Sequence, residues 1–373
     1  MTTASATWPR AFDERRYVPI LLTRQGERHA LRALASDVRS AMTPFFVVHP
    51  VAKDPSTGVQ KITEETHLTK LAVDLATKDW GIGAAFTDLR WIDTTGRAST
   101  GQHLVEFFLD KTARYGLRLA PAISTQHDAS YRAAAIRAAD AHETAVALRL
   151  SPDEWHDVGT PVGDGRVLGL FGETGRPVEQ VHIILDFEDG IASTTALALA
   201  AIRPVLRAFP RANEWASLTV AGTGMPIGTA QIGADGSAEL PRLEWLLWRS
   251  LTDREIRRPS FGDYGVQHPN PLSDFNPLYM DSSAQLRYTI PNSWFVARGR
   301  GVKRIGNEQI RGLAQQVVDH PDYSGADFSW GDRWLHDCAS ELCGPGAQSV
   351  WRKVTTNHHL TFVVRQLASH FGP

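Results

Sequence analysis

Between Tyr17 and Tyr264, short apolar runs alternate with longer segments of helical period, and nearly every apolar run ends in polar or charged residues. Parallel strands covered by helices on both faces read as continuous apolar runs, and the crossovers between them are usually helical. The pattern predicts strands over 17–22, 43–48, 83–87, 118–123, 145–150, 181–185, 215–220 and 259–265, the last being the weakest. Helices are predicted over 29–34, from 63, over 103–115, 131–142 and 194–209, and around 243–248, with a helix start at 151–154. Local chemistry supports several boundaries. Thr63-Glu64-Glu65-Thr66 is a capped start with acids in the first turn, Gly116 suits a C′ position, and Pro152 suits the first helical position.

Strand–helix units in this number, over about 250 residues, match a TIM-like (β/α)8 barrel of the α/β class. A doubly wound open sheet usually carries a glycine fingerprint after its first strand. Here that turn is Arg24-Gln25-Gly26-Glu27, with a single glycine, so the barrel is the expected fold. Beyond it, 286–290 and 294–298 flank Pro291-Asn292 as a β-hairpin, and helical and aromatic segments follow over 308–318, 328–338 and 349–370. The expected organisation is a disordered lead over 1–16, a barrel core over 17–285, and a C-terminal hairpin and helical extension over 286–373 that completes or caps it.

Composition narrows the class. The 373 residues are 42% hydrophobic and 21% charged, and 39 Lys+Arg stand against 41 Asp+Glu, for a net charge of -2. That is an ordinary globular chain without a polybasic coat, though a local basic groove stays open. Cys338 and Cys343 are too few for a disulfide framework and are not spaced as a zinc knuckle, so reduced thiols in a cytoplasmic protein are expected. No apolar run reaches the ~18 residues needed to span a bilayer, so no membrane partner is expected.

Some stretches resemble one family: Tyr17-Val18-Pro19-Ile20-Leu21 with Arg24-Gln25-Gly26-Glu27 and Ala30-Leu31, Asp263-Tyr264-Gly265, the hairpin from Arg287-Tyr288 to Arg298-Gly299, and Asn357-His358-His359-Leu360 with Val364-Arg365-Gln366-Leu367. Together they resemble the beta family protein, a group named after a phage beta protein and found in phages and bacteria. The likeness spans almost the whole chain, and its opening and closing motifs are the more specific. Many relatives carry Lys where Arg24 stands, so a planar guanidinium replaces a point-like ammonium. The resemblance implies a setting at the phage–host interface, including defence-like gene neighbourhoods and a partner encoded nearby. It supplies no reaction and no catalytic roles.

Barrels gather their chemistry at the C-terminal ends of their strands. The strand-end inventory here is Arg24, Glu27, His49, Asp88, Arg90, His127, Arg149, Asp186, Glu188, Asp189 and Asp263. Arginines among carboxylates suit a phosphate or carboxylate ligand; they also suit ion-pair networks that only orient loops. Asp186 and Glu188 share a side at strand period and are the best candidates for Mg2+, but acids also cap the following helix. Adjacent histidines on a helix diverge by about 100°, so His358 and His359 read as a packed pair rather than a metal site. Gly222-Thr223-Gly224 offers amides where barrels often hold phosphate. Arg298-Gly299-Arg300-Gly301-Val302-Lys303-Arg304, beside Tyr288, Trp294 and Phe295, is either a nucleic-acid contact or a solvated loop. No GxSxG elbow, P-loop or HExxH occurs.

Three functions follow: a barrel of the phage–host interface, in anti-phage defence or conflict, binding an anionic ligand or protein partner at its mouth; a metal-assisted phosphodiesterase or nucleotide hydrolase; and a nucleic-acid-binding component using the hairpin over 287–304. The candidate catalytic residues are Glu27, Asp186, Glu188 and Asp263. The candidate ligand contacts are Arg24, Asp88, Arg90, Tyr264, Arg298, Asn357 and His358.

Overall fold

The apolar runs pair side by side into a ring. In the computed structural model, which describes residues 12–191, 194–251, 257–270 and 281–372, the strands are β1 (Tyr17–Leu21), β2 (Phe45–Val47), β3 (Ala85–Asp88), β4 (Leu119–Ile123), β5 (Val146–Leu150), β6 (Val181–Asp186), β7 (Ser217–Ala221), β8 (Gly236–Pro241), β9 (Ser260–Asp263), β10 (Ser283–Thr289) and β11 (Ser293–Gly301). The first seven and β9 form a closed parallel barrel, with β9 pairing β1 and β7. The helices are α1 (Gln25–Arg32), α2 (Ser36–Ser40), α3 (Glu64–Asp74), α4 (Leu104–Arg114), α5 (Ala129–Ala141), α6 (Pro152–Trp155), α7 (Pro161–Glu173), α8 (Thr195–Ala208), α9 (Leu243–Ser250), α10 (Val302–Ile305), α11 (Ile310–Val318), α12 (Trp330–Ala339) and α13 (Gln348–Phe371).

Alternation along each strand sorts its side chains. Val18, Ile20, Phe45, Val47, Phe86, Ala120, Ala122, Ala147 and Ile184 fill the barrel interior. Their neighbours Tyr17, Leu21, Phe46, Leu148, Ile183, Leu185, Leu218 and Phe261 face the helix layer. At one end Phe12 stacks on His182 with ring centroids 5.2 Å apart, so the described part of the lead segment is packed against the barrel. Residues 1–11 lie outside the described residues.

The hairpin is longer than its sequence suggests and gains a partner. β8, an inserted strand after β7, pairs antiparallel with β11 to give a three-stranded sheet in the order β10-β11-β8. β8 escapes sequence reading because its burial alternates only between half-buried and exposed. α13 then packs against α1, β1 and β10. Leu360, Val363 and Leu367 on it are buried in the main core. α13 therefore covers the seam between β1 and β9, the position a final crossover helix would take.

Buried polar side chains fasten that seam. His359 Nε2 lies 3.0 Å from Asp263 Oδ2, and its Nδ1 lies 2.8 Å from Thr289 Oγ1. Tyr17 donates to Asp263 Oδ1 at 2.6 Å. Burial holds the His359 imidazole below its ordinary pKa despite the carboxylate beside it. Burial alone would raise Asp263, but His359 and the Tyr17 hydroxyl keep it below the usual carboxylate range. His358 spans Asp332 and the Thr289 carbonyl at 2.9 and 2.8 Å. Asn357 accepts from the Gly331 amide and donates to the Ala30 carbonyl at 2.9 and 3.2 Å.

Candidate functional site

The alternation that fills the barrel also aims its polar strand ends. Two residues beyond Phe86, Ala147 and Ile184, on the same inward face, stand Asp88, Arg149 and Asp186. Arg149, 5% exposed at its side chain, is the hub. Its Nε donates to Asp186 Oδ2 at 2.9 Å, one terminal nitrogen to Asp88 Oδ2 at 2.7 Å, and the other to the Tyr264 hydroxyl at 2.7 Å. Tyr264 donates in turn to Asp186 Oδ2 at 2.6 Å, and the guanidinium lies over the Phe45 ring. His127 Nε2 stands 3.1 Å from Asp88 Oδ1 and its ring stacks on Tyr131.

The electrostatics follow from this pairing. Burial alone would strip the Arg149 charge, but the Tyr264, Asp186 and Asp88 oxygens push its pKa well above the ordinary value. Burial opposes the Asp88 charge too, yet His127 and Arg149 hold it well below the usual carboxylate range. Burial lifts the Tyr264 phenol well above its ordinary value, against Arg149 and with Asp186. All three are thus held in one protonation state across ordinary pH.

Above this layer the mouth opens. Arg90 forms an ion pair with Glu188 and reaches Gln126 Oε1 at 3.3 Å. Glu188 is 30% exposed at its side chain. Its backbone is left-handed, with φ 54°, an unusual state for a non-glycine residue, and its amide donates to Asp186 Oδ1 at 2.8 Å. β6 ends at Asp186, so it is this turn, not strand period, that brings Glu188 beside Arg90. A cavity of about 160 Å³ lies here, bordered by Arg90, Glu188, Ser124, Gln126, Ser151 and Arg149.

Of the sequence-selected residues, Asp88, Arg90, Asp186, Glu188 and Tyr264 converge, together with Arg149 and His127 from the strand-end inventory. Glu27 does not join them. It is buried in α1, where it accepts from the Leu22 and Arg24 amides at 3.2 and 3.1 Å as a capping residue. Asp263 points the other way: its neighbours Gly262 and Tyr264 face inward, so alternation turns it out to α13. Asn357 and His358 are buried behind the barrel wall. Arg298 donates to the Ile232 carbonyl and Ser283 Oγ within the three-stranded sheet, and Arg300 pairs with Asp235.

The donor set at Asp186 does not fit Mg2+. Its oxygens are taken by Arg149, Tyr264 and the Glu188 amide, and among the described residues no cluster of three metal-ligating side chains occurs. The glycine pair after β7 is also occupied. The Thr223 amide donates to the Glu188 carbonyl and that of Gly224 to Glu244 Oε2. A Cβ at Gly222 would stand 2.8 Å from Ile191, so this glycine permits close packing. Sequence reasoning missed Glu154, buried beside the mouth and bonded to Thr125 and Ser151, because its acid in a Ser-Pro-Asp-Glu helix start reads only as a cap.

Among the described residues no helix is long and apolar enough to cross a membrane. Solved barrels with similar folds include triosephosphate isomerase from Bartonella henselae, at 12% identity over 67% of this chain and 92% of that one, with a TM-score of 0.35. Type I 3-dehydroquinate dehydratase from Clostridium difficile matches at 9% identity over 69% and 88%, with a TM-score of 0.38. The tryptophan synthase α-subunit from Pyrococcus furiosus matches at 12% identity over 68% and 89%, with a TM-score of 0.37. No functionally curated protein matches the chain. The sequence profile described as Beta protein matches residues 17–365, nearly the whole length, and the chain belongs to that family.

Proposed function

We propose that this protein is a ligand-binding barrel of the phage–host interface that holds an anionic small molecule over Arg90 and Glu188 at the C-terminal mouth. One observation carries the reading: of the groups lining the cavity, the inner layer is buried and saturated by its own pairings, whereas the Arg90–Glu188 ion pair above it is partly exposed. A ligand anion can displace Glu188 from Arg90 and take a charge-assisted, bidentate place on the guanidinium. The left-handed turn at Glu188 is a local strain of the kind that clusters at ligand sites. The phage–host setting is supported by family membership alone.

The test is a panel of anionic metabolites offered to the full-length protein, read by thermal shift and then calorimetry. Arg90→Gln should weaken any hit roughly tenfold or more, since a charged hydrogen bond contributes about 1.5–3 kcal/mol. Glu188→Gln should tighten it by removing the internal competitor. A panel without a single hit, or hits indifferent to both substitutions, sinks the reading. Plating phages on cells expressing the wild type or Arg90→Gln checks the biological setting: it requires a difference in plating efficiency between the two.

A further inference from the structure

Beside the mouth lies a larger cavity of about 600 Å³, which the strand-end chemistry does not explain. Its walls come from segments far apart in sequence. Arg24 stands at the N-cap of α1, Arg287 on β10 and Arg352 on α13, while His268 and Gly228 belong to the loops that follow the eighth and seventh barrel strands. Asn270 borders both this cavity and a smaller one lined by Arg90, Arg149, Glu188 and Tyr264, so the two spaces are neighbours along one face.

The charge on the described lining of this cavity is one-sided. No Asp or Glu is among its described lining residues. Glu27 acts on Arg24 and Arg352, but its oxygens are held by backbone amides and its carboxyl is itself pushed up by burial. Arg287 donates to the Val266 carbonyl at 2.7 Å. Burial, then the neighbouring Arg352 charge, brings the Arg287 guanidinium down to about 10. Arg352 is likewise lowered by burial and by Arg24. Like charges crowded in a partly desolvated space are costly, and folding alone gives no reason to assemble them.

The assembly is nonetheless built by close packing. A Cβ on Gly26 would come within 2.7 Å of the Ser349 carbonyl and 2.8 Å of Arg352 Cβ. Glycine there lets α13 approach α1 and sets Arg352 beside Arg24. The loops after the seventh and eighth strands are also where barrels often take phosphate. Planar guanidiniums match phosphoryl oxygens in bidentate fashion, and the cavity's volume lies in the range of small-molecule sites.

We propose that Arg24, Arg287 and Arg352 form a phosphoryl-binding site for a phosphorylated small molecule, whose remainder extends past Asn270 towards Arg90 and Glu188. The second half of this statement rests on the mouth reading; the phosphoryl site does not.

The experiment uses the full-length protein with inorganic pyrophosphate, ATP without metal, and citrate as probes, by calorimetry at low and high salt. The wild type should bind pyrophosphate and ATP, more weakly as salt rises. Arg352→Gln and Arg287→Gln should each weaken pyrophosphate at least tenfold, with Arg352→Lys recovering part of the loss. Circular dichroism melts show that each variant is folded. Wild-type protein that ignores pyrophosphate at millimolar concentration, or a folded Arg352→Gln variant that binds it as well as the wild type, overturns the site. Tighter binding of citrate than of pyrophosphate overturns the phosphoryl assignment. The two readings also separate. Metabolite binding lost in Arg90→Gln but kept in Arg352→Gln, with no pyrophosphate bound by the wild type, leaves the mouth and removes this site. Pyrophosphate binding lost in Arg352→Gln, with no metabolite response at the mouth, does the reverse.

Discussion

The floor of the mouth and the arginine cavity beside it use the same side chain to opposite ends. At the floor, Arg149 is met by Asp88, Asp186 and Tyr264, and its hydrogen bonds and charges are answered from within the chain. In the cavity, Arg287 feels the Arg352 charge, and Arg352 feels Arg24 more than it feels Glu27. A guanidinium surrounded by its own acids ties strand ends together and spends its donors on them. Guanidiniums crowded beside one another leave like charges that a ligand anion would offset. The difference lies in what the arginine faces, not in how deeply it sits.

The most forceful way to break this contrast is Arg149→Met. It keeps an apolar stem in the barrel but leaves Asp88 and Asp186 buried without their cation. Removing one partner of a buried ion pair typically costs about 3–5 kcal/mol. Urea unfolding should show a loss of that size. A loss under about 1 kcal/mol would mean that the network is wet or malleable, and that the floor is a site rather than architecture.

How much of this was legible in the sequence follows from where each signal resides. The ring of strands was readable because doubly covered strands are apolar throughout, as in Val181-His182-Ile183-Ile184-Leu185, and the structure ends them within a residue or two of the predicted bounds. The convergence of Asp88, Arg149 and Asp186 was readable because strand ends share one rim. Which way Asp263 faced was not, since a single step of register reverses it. Glu27 and His359 carry the same charge pattern as catalytic groups, and only burial against α1 and α13 separates them. Arg352 was out of reach altogether. It sits on a helix some three hundred residues from Arg24, and nothing in local periodicity joins the two.

Glu244 sharpens the contrast from between its poles. It lies 3.7 Å from Arg242, both buried, and among the described residues three of their polar atoms lack hydrogen-bond partners. Burial pushes its carboxyl from the usual range up to about 8, against the pull of Arg242. The folded pKa therefore exceeds the unfolded one. The associated stability is fully present below about pH 4.5 and is lost as pH rises through about 8. Its slope cannot exceed roughly 1.4 kcal/mol per pH unit for a single group. Between pH 6 and 9 the wild type should lose stability relative to Glu244→Gln, which cannot ionise. Parallel curves for the two proteins would show that the pair is fully charged, and that a close acid suffices even without a hydrogen bond.

The smallest expected effect decides the most. In the ligand-free protein Arg352→Gln removes one of the crowded cations while keeping the stem that packs on Gly26. If the cavity is a ligand site, the free protein is already bearing like-charge repulsion, and the substitution should leave its stability within about 0.5 kcal/mol or raise it slightly. If the arginines serve the fold, as Arg149 does, stability should fall by more than about 1 kcal/mol, from the loss of a charged hydrogen bond. Thermal melts at low and at high salt separate the cases further. Screening weakens repulsion, so any gain in the variant should shrink as salt rises. A gain that persists in high salt would trace to packing, and the charge argument for the cavity would go with it.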